Sequence, residues 1–270
     1  PVTSAIIRVV TSPLMTDEEL QKAIETDSLW ENLVQLTDNL NDYSIFHQII
    51  NRNSKNNTME ILFVASKLAD VNAYTSIAKK AGLNPVIMDV RCFTLKNAYD
   101  NTKFKSITDK GNSVVLELGI DENYMMIIHN NIPIITDIFL RPQEKEYLAN
   151  IKSEQISTEA EAVIRRYAMQ VKQAITDYEN KYENKILTIQ VVSNLRNISL
   201  LIPAFKKNLP TTGFTNFDPL QNVSVPSYNN EKITDNNRSP LSSVMGLAYR
   251  KLDVFGYYKF VTAVKNINLL

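Results

Sequence analysis

Three apolar runs in the middle of the chain alternate with short polar breaks. They cover Val114 to Leu118, Tyr124 to His129 and Ile132 to Phe139. The breaks between them are Gly119 to Asn123 and the pair Asn130-Asn131. Short β-branched runs that are separated by turns of this kind predict consecutive β-hairpins.

The first hairpin turn follows the unit Glu117-Leu118-Gly119. A glycine after an acidic strand end lets the backbone pass close to a phosphate, and the N–H groups of the turn can point at an anion. The unit therefore predicts either a phosphate-facing turn or an ordinary hairpin that meets no ligand.

The residues before Leu83 predict a small α+β layer. Thr16 and Glu19 have the spacing of a capping box and predict a helix whose apolar side continues through Trp30. Gly82 has the chemistry of a helix C-cap. The other expected elements are an opening strand Ser4 to Val10, strands Tyr43 to Ile50 and Ile61 to Ala65, and a helix Ala69 to Ala81.

The residues after Leu83 predict a second α/β part. Its longest helix, Ser157 to Tyr182, has one apolar stripe. The tract Pro210 to Pro240 is rich in Asn and Pro, and we expect it to be a loop with partial disorder. The remaining predictions are a strand Pro85 to Val90, a helix Cys92 to Asp100, a strand Lys185 to Val192, a helix Ile198 to Asn208 and a closing helix Ser239 to Leu252.

Composition excludes several classes of function. Lys+Arg and Asp+Glu balance at 29 each, so no global basic field indicates nucleic acid binding. The chain has one cysteine, Cys92, which excludes an internal disulfide and a multi-cysteine metal site. No apolar run reaches the roughly 18 residues of a membrane span. Because the chain starts at Pro1, we interpret it as a fragment of a longer protein.

Four segments in order resemble a known family. They are Ser4 to Ile7 followed by Leu14 to Leu20, Ala78 to Val90, the hairpins, and Ser242 to Arg250. Together they resemble PilM, the actin-like protein of type IV pilus machines, and the cytoplasmic domain of the GspL-type component of type II secretion.

The resemblance implies an α/β protein with the actin-like ATPase (ribonuclease H-like) fold. Residues 1–83 resemble the inserted α+β subdomain that PilM shares with FtsA, residues 84–254 resemble the actin-like core, and 255–270 form a tail. The first strands of the family's nucleotide domain are absent, so we expect a fold that is incomplete at its N-terminus.

The resemblance places a degenerate nucleotide site at Asp89, Glu117, Gly119, Ser193 and Asn194. The family's Asp-x-Gly turn has Glu117 here, and its adenosine-side Gly-Gly turn has Ser193-Asn194. We therefore expect weak nucleotide binding or none, no catalytic residue, no metal and no cofactor.

Two further departures from the family's sequence also predict weak nucleotide binding or none. Carboxylates at Asp121 and Glu122 follow the turn glycine, and Arg91 replaces an acidic residue of the family. The alternative reading is an ATP-binding actin-like switch that uses ATP with magnesium.

The tail Asn266-Ile267-Asn268-Leu269-Leu270 resembles the motif that opens PilN, the membrane partner of PilM. The resemblance implies that the five residues dock on the inserted subdomain of the same molecule or of a neighbour, which would form a homodimer. The alternative is a frayed apolar terminus.

The implied function is that of a non-enzymatic assembly module. It would lie at the cytoplasmic face of the bacterial inner membrane and be held there by a partner or a following segment. It would link PilN/PilO-like components to a secretion or pilus motor ATPase, without nucleic acid.

Overall fold

The computed structural model describes residues 5–26, 29–30, 39–103, 113–129, 132–152, 156–195, 197–226, 233 and 238–250. These residues form two compact units, one that ends at Arg91 and one from Cys92 to Arg250. The domain boundaries predicted after residues 83 and 254 stay a prediction.

The first unit contains a three-stranded antiparallel sheet. Strand β3 (Thr58–Lys67) lies between β1 (Ile6–Pro13) and β2 (Tyr43–Asn53). Helix α1 (Asp17–Glu25) follows β1, and α2 (Leu68–Lys80) follows β3. The short 3₁₀ helix Leu40–Asp42 precedes β2. One face of the sheet forms a core from Val10, Leu20, Trp30, Tyr43, Met59, Ile61, Phe63 and Ala65.

Local signals at the helix ends of this unit are confirmed. The Thr16 side chain accepts from the Glu19 N–H at 3.2 Å, and the Glu19 carboxylate accepts from the Thr16 N–H at 2.8 Å. Gly82 has φ +74°, and the N–H of Leu83 donates to the carbonyl of Ala78 at 3.0 Å. This is the geometry of a helix end closed by a left-handed glycine.

Helix α1 ends at Glu25, where the Thr26 hydroxyl donates to the Ala23 carbonyl at 3.1 Å. Leu29 and Trp30 are again helical and Trp30 is buried, in agreement with the predicted apolar side. One prediction in this unit is wrong. No strand covers Pro85 to Val90, which shows only isolated bridges at its end. Pro85 offers no N–H to a ladder, and the Val90 N–H donates to the Asp89 side chain at 2.8 Å instead.

The second unit contains a five-stranded mixed sheet. Its order is β6-β5-β4-β7-β8, with β4 parallel to β7, β7 parallel to β8 and the other pairs antiparallel. The strands are β4 (Ser113–Leu118), β5 (Asn123–His129), β6 (Ile132–Asp137), β7 (Thr188–Ser193) and β8 (Gly213–Asn216).

In the described part of this unit, five helices accompany the sheet. They are α3 (Arg91–Lys103), α4 (Pro142–Ala149), α5 (Thr158–Tyr182), α6 (Ile198–Asn208) and α7 (Ser242–Ala248), the last preceded by a 3₁₀ helix Ser239–Leu241. The apolar stripe of α5 is buried at nine positions and packs with α6 on one face of the sheet. None of the helices described combines the length and the apolar composition that a membrane span requires.

The hairpins and the long helix are confirmed, but several boundaries differ. Strand β6 ends at Asp137 rather than Phe139, and β7 covers Thr188–Ser193 rather than Lys185 to Val192. The closing helix, predicted to reach Leu252, ends at Ala248. The tract from Pro210 contains β8, so the prediction of a loop there is wrong at Gly213–Asn216. Strand β8 forms by pairing with β7, and the four residues of β8 alone do not predict a strand.

Candidate functional site

Strands β4 and β7 end side by side. They are parallel neighbours, with Glu117 opposite Val192 and Leu118 opposite Ser193. The carboxyl ends of neighbouring parallel strands form the edge at which open α/β sheets hold ligands. The structure therefore brings four of the predicted residues to one edge: Glu117, Gly119, Ser193 and Asn194.

The turn after β4 is bonded to two asparagine side chains. The Gly119 N–H donates to Asn123 Oδ1 at 3.2 Å, and the Ile120 N–H donates to Asn194 Oδ1 at 3.3 Å. Asn123 Nδ2 in turn donates to the Gly119 carbonyl at 2.8 Å. The two N–H groups that could point at an anion are thus engaged by amide oxygens of the chain itself.

Gly119 allows a close approach of the Asn194 side chain. A Cβ there would lie 2.9 Å from Asn194 Oδ1 and 3.2 Å from the Glu122 carbonyl oxygen. The carboxamide of Asn194 therefore occupies the space that Gly119 leaves open.

Glu117 is 2% exposed at the end of β4, between two tyrosines. Burial raises the pKa of the Tyr124 phenol well above its usual value, and the nearby Glu117 raises it further. The same two causes raise the pKa of Tyr167, whose hydroxyl donates to the Glu117 carbonyl at 3.3 Å. Both phenols therefore stay protonated beside the buried Glu117 side chain. No group of three or more metal-ligating side chains is present among the residues described.

The end of β7 is hydrogen-bonded to a distant part of the chain. The Ser193 N–H donates to Ser239 Oγ at 3.0 Å, and Ser193 Oγ accepts from the Leu195 N–H at 3.0 Å. The sequence analysis missed Asn123 and Ser239. The spacing of Asn123 from Gly119 within one turn is a local signal that could have identified it. Ser239 has no such signal, because its contact joins residues 46 positions apart.

The assignment of Asp89 and of the tail to a site stays a prediction. Asp89 belongs to the first unit, where it is buried and its Oδ1 accepts from the Val90 N–H. The peptide Asn266 to Leu270 lies outside the residues described, so its docking stays a prediction.

The fold is shared with a solved PilM-PilN type IV pilus biogenesis complex, at a TM-score of 0.71 and 14% identity. The alignment covers 91% of this chain and 76% of that one. The chain accordingly has the actin-like ATPase fold, with mixed α/β sheets.

Other solved structures match more weakly. A Bacteroides thetaiotaomicron protein with an actin-like ATPase fold and unknown function matches at a TM-score of 0.40 and 9% identity, over 79% of this chain and 68% of that one. The ethanolamine utilization protein EutJ from Carboxydothermus hydrogenoformans matches at a TM-score of 0.44 and 13% identity, over 68% of this chain and 61% of that one.

The family of the chain follows from its sequence. The family model of type IV pilus assembly protein PilM matches residues 1–214. The chain belongs to this family, which confirms the resemblance found in the sequence. None of the curated proteins compared with the chain matches it.

Proposed function

We propose that the chain is an assembly component of a type IV pilus machine that acts by binding other proteins, with a nucleotide site that has lost its function. Membership of the PilM family supports the assembly role. We propose the loss of nucleotide binding because the Gly119 and Ile120 N–H groups already donate to the side-chain oxygens of Asn123 and Asn194.

A phosphate entering this edge would first have to displace two amide oxygens from the turn. It would then meet the buried Glu117 carboxylate, beside the acidic Asp121 and Glu122 of the same turn. Like charges in close contact repel by about 1 kcal/mol in water and by more at a partly buried site. ATP and magnesium therefore do not fit the residues present.

The partner that we propose is a membrane component of the PilN type. The structure with the same fold was solved as a PilM-PilN complex, which supports a partner of that kind. We propose that the chain lies at the cytoplasmic face of the inner membrane and connects this component to a motor ATPase. The tail Asn266 to Leu270 would dock in the same molecule or in a neighbour.

Isothermal titration with ATP and magnesium tests the nucleotide part of the proposal. We expect no binding heat at ligand concentrations up to about 1 mM, whereas micromolar affinity would establish the ATP-binding switch instead. The variant Asn194→Gly removes the amide oxygen from the turn, and Asn208→Gly is its control on the exposed end of α6. If occlusion by Asn194 contributes, a gain in affinity should be confined to the first variant.

Deletion of residues 266–270 tests the tail. We expect the truncated chain to lose dimers or to unfold at a lower temperature, measured by light scattering and calorimetry. If neither property changes, the docking of the tail is wrong while the nucleotide proposal is unaffected.

A further inference from the structure

Phe139 lies on the surface of the second unit on a firmly held backbone. Its side chain is 68% exposed, while its neighbours Ile138 and Leu140 are buried in the core. The Phe139 N–H donates to Gln170 Oε1 at 2.9 Å, and Gln170 Nε2 donates to the Phe139 carbonyl at 3.0 Å. The Ile138 N–H is bonded to the Asn123 carbonyl at 2.9 Å. An exposed aromatic side chain is thus presented from a backbone with little freedom to lose on binding.

A second exposed apolar side chain, Met169, precedes Gln170 on α5. It is 65% exposed. Residues three and four positions away on a helix are its surface neighbours. For Met169 these neighbours are Arg165, Arg166, Lys172 and Gln173, all of them exposed. The thioether is therefore surrounded by three cations without a carboxylate among these positions.

The segment that follows Phe139 adds a fourth cation. The Arg141 N–H donates to Glu144 Oε2 at 2.8 Å, and the buried Glu144 carboxylate contacts the Arg166 guanidinium directly. Arg141 Nε lies 4.0 Å from the same carboxylate. The two arginine side chains remain 69% and 44% exposed. Glu144 lies between the two guanidinium groups. The exposed carboxylates Asp137 and Glu161 lie two residues before Phe139 and one helical turn before Arg165, so the four cations of this region exceed these three carboxylates by one.

We propose that this region docks an acidic segment of another protein, in which apolar side chains stand between carboxylates. The Phe139–Met169 surface, as we name it, consists of Phe139, Met169, Arg141, Arg165, Arg166 and Lys172. Aromatic side chains, methionine and arginine are enriched at protein interfaces. A backbone that is already fixed reduces the entropy lost on association.

The positive charge of the Phe139–Met169 surface indicates which partner it binds. A carboxylate-rich partner complements the four cations, whereas the chain's own residues 251–270 contain three lysines and one aspartate and have the same sign as the surface. The proposal does not depend on the nucleotide site or on the tail.

Fluorescence anisotropy of the full chain with a labelled synthetic peptide tests the proposal. The probe is Asp-Glu-Phe-Leu-Asp-Glu-Leu-Asp, and its control has lysine at every acidic position. We expect saturable binding of the acidic peptide alone, weakened by added salt because exposed charges are screened. Phe139→Ser and Met169→Ser should each weaken binding about fivefold, and Lys172→Glu about tenfold.

Leu187→Ser is the matched control, because Leu187 is 72% exposed on the same unit away from this surface in sequence. It should bind the peptide as the unaltered chain does. The proposal is overturned if the acidic peptide does not saturate, if Phe139→Ser binds it equally well, or if the lysine peptide binds as tightly. Binding of phosphatidylglycerol vesicles that is lost in Phe139→Ser would assign the surface to a membrane and would also overturn it. Circular dichroism of each variant confirms folding before titration.

Discussion

In the five-stranded sheet every residue of β4 from Val114 to Leu118 is buried, whereas β1 and β2 of the three-stranded sheet have half-buried and exposed positions along their length. The difference follows from position in the sheet, because β4 is a central strand whereas β1 and β2 are edge strands. The central β3 of the three-stranded sheet is buried without interruption from Ile61 to Ser66, although both of its pairings are antiparallel. Parallel pairs such as β4 with β7 need crossover helices, which cover the faces of the sheet. The three-stranded sheet is entirely antiparallel, and its helix α2 has no buried residue.

This comparison indicates where each unit obtains its stability. The second unit depends on contacts between residues far apart in sequence, such as Ser193 with Ser239 and Asn197 with Leu148. The first unit shows strong local signals, including the capping box at Thr16. We expect the most damaging single substitutions in the second unit.

The largest effect is expected from Gly246→Ala. A Cβ at Gly246 in α7 would lie 1.6 Å from the Thr94 carbonyl oxygen and 3.0 Å from the Ala98 nitrogen of α3. Because both contacts are to backbone, the helices must separate, and we expect a loss of about 3 kcal/mol or more in the free energy of unfolding. Urea denaturation followed by circular dichroism measures the loss.

The control for this substitution is Gly213→Ala. The nearest atom to a Cβ there is the Leu187 carbonyl oxygen at 3.4 Å, so the neighbours need to shift little. Equal losses for the two variants would contradict the close contact of α3 with α7.

The next largest effect is expected from Asn197→Ala. The buried Asn197 Nδ2 donates to the Leu148 carbonyl at 2.7 Å and to the Ile151 carbonyl at 3.0 Å, and so joins the end of α4 to the start of α6. The substitution leaves the Leu148 and Ile151 carbonyls without this donor, which should lower the free energy of unfolding by about 2 kcal/mol. Amide exchange of peptides from the second unit should show faster exchange at these helix ends.

Asn208→Ala provides the comparison, since its exposed side chain donates to a single carbonyl, that of Ala204. It should change the unfolding free energy by less than about 0.5 kcal/mol. A similar loss in both variants would mean that the bridge between α4 and α6 contributes nothing of its own.

The same contrast explains which features were predictable from the sequence. Helix α5 was predictable because its nine buried residues repeat at helical spacing, and the hairpins because turn residues separate their apolar runs. The end of α2 was predictable because Gly82 alone provides the left-handed conformation there.

Features that depend on distant residues were not predictable. Strand β8 has one buried residue, Phe214, and takes its conformation from β7. The family resemblance suggested Glu117 and Ser193 as site residues, and both lie at the ends of the neighbouring strands β4 and β7. However, the bond from the Ile120 N–H to Asn194 joins residues 74 positions apart. A contact between residues so far apart cannot be predicted from a local sequence pattern.

In the first unit we expect a smaller effect from Thr16→Ala. The substitution removes the acceptor for the Glu19 N–H at the start of α1, which should cost about 1 kcal/mol. Trp30 is the single tryptophan of the chain and is buried in this unit, so its fluorescence reports the loss. Thr16→Ser retains the hydroxyl and should restore most of the stability. If the serine variant is as unstable as the alanine variant, the cap is not the cause.

The smallest effect is expected from the ionisation of His47. Burial against Trp30 and Phe63, whose rings pack together, lowers the pKa of His47 below its usual value of 6.5. The unfolded chain therefore binds a proton at a pH where the folded chain does not, so the stability contribution is complete above about pH 6.5 and is lost as the pH falls toward the folded pKa. Urea midpoints from tryptophan fluorescence at several pH values should decrease in that window. His47→Phe should remove this part of the pH dependence, and an unchanged pH profile in that variant would exclude His47 as its source.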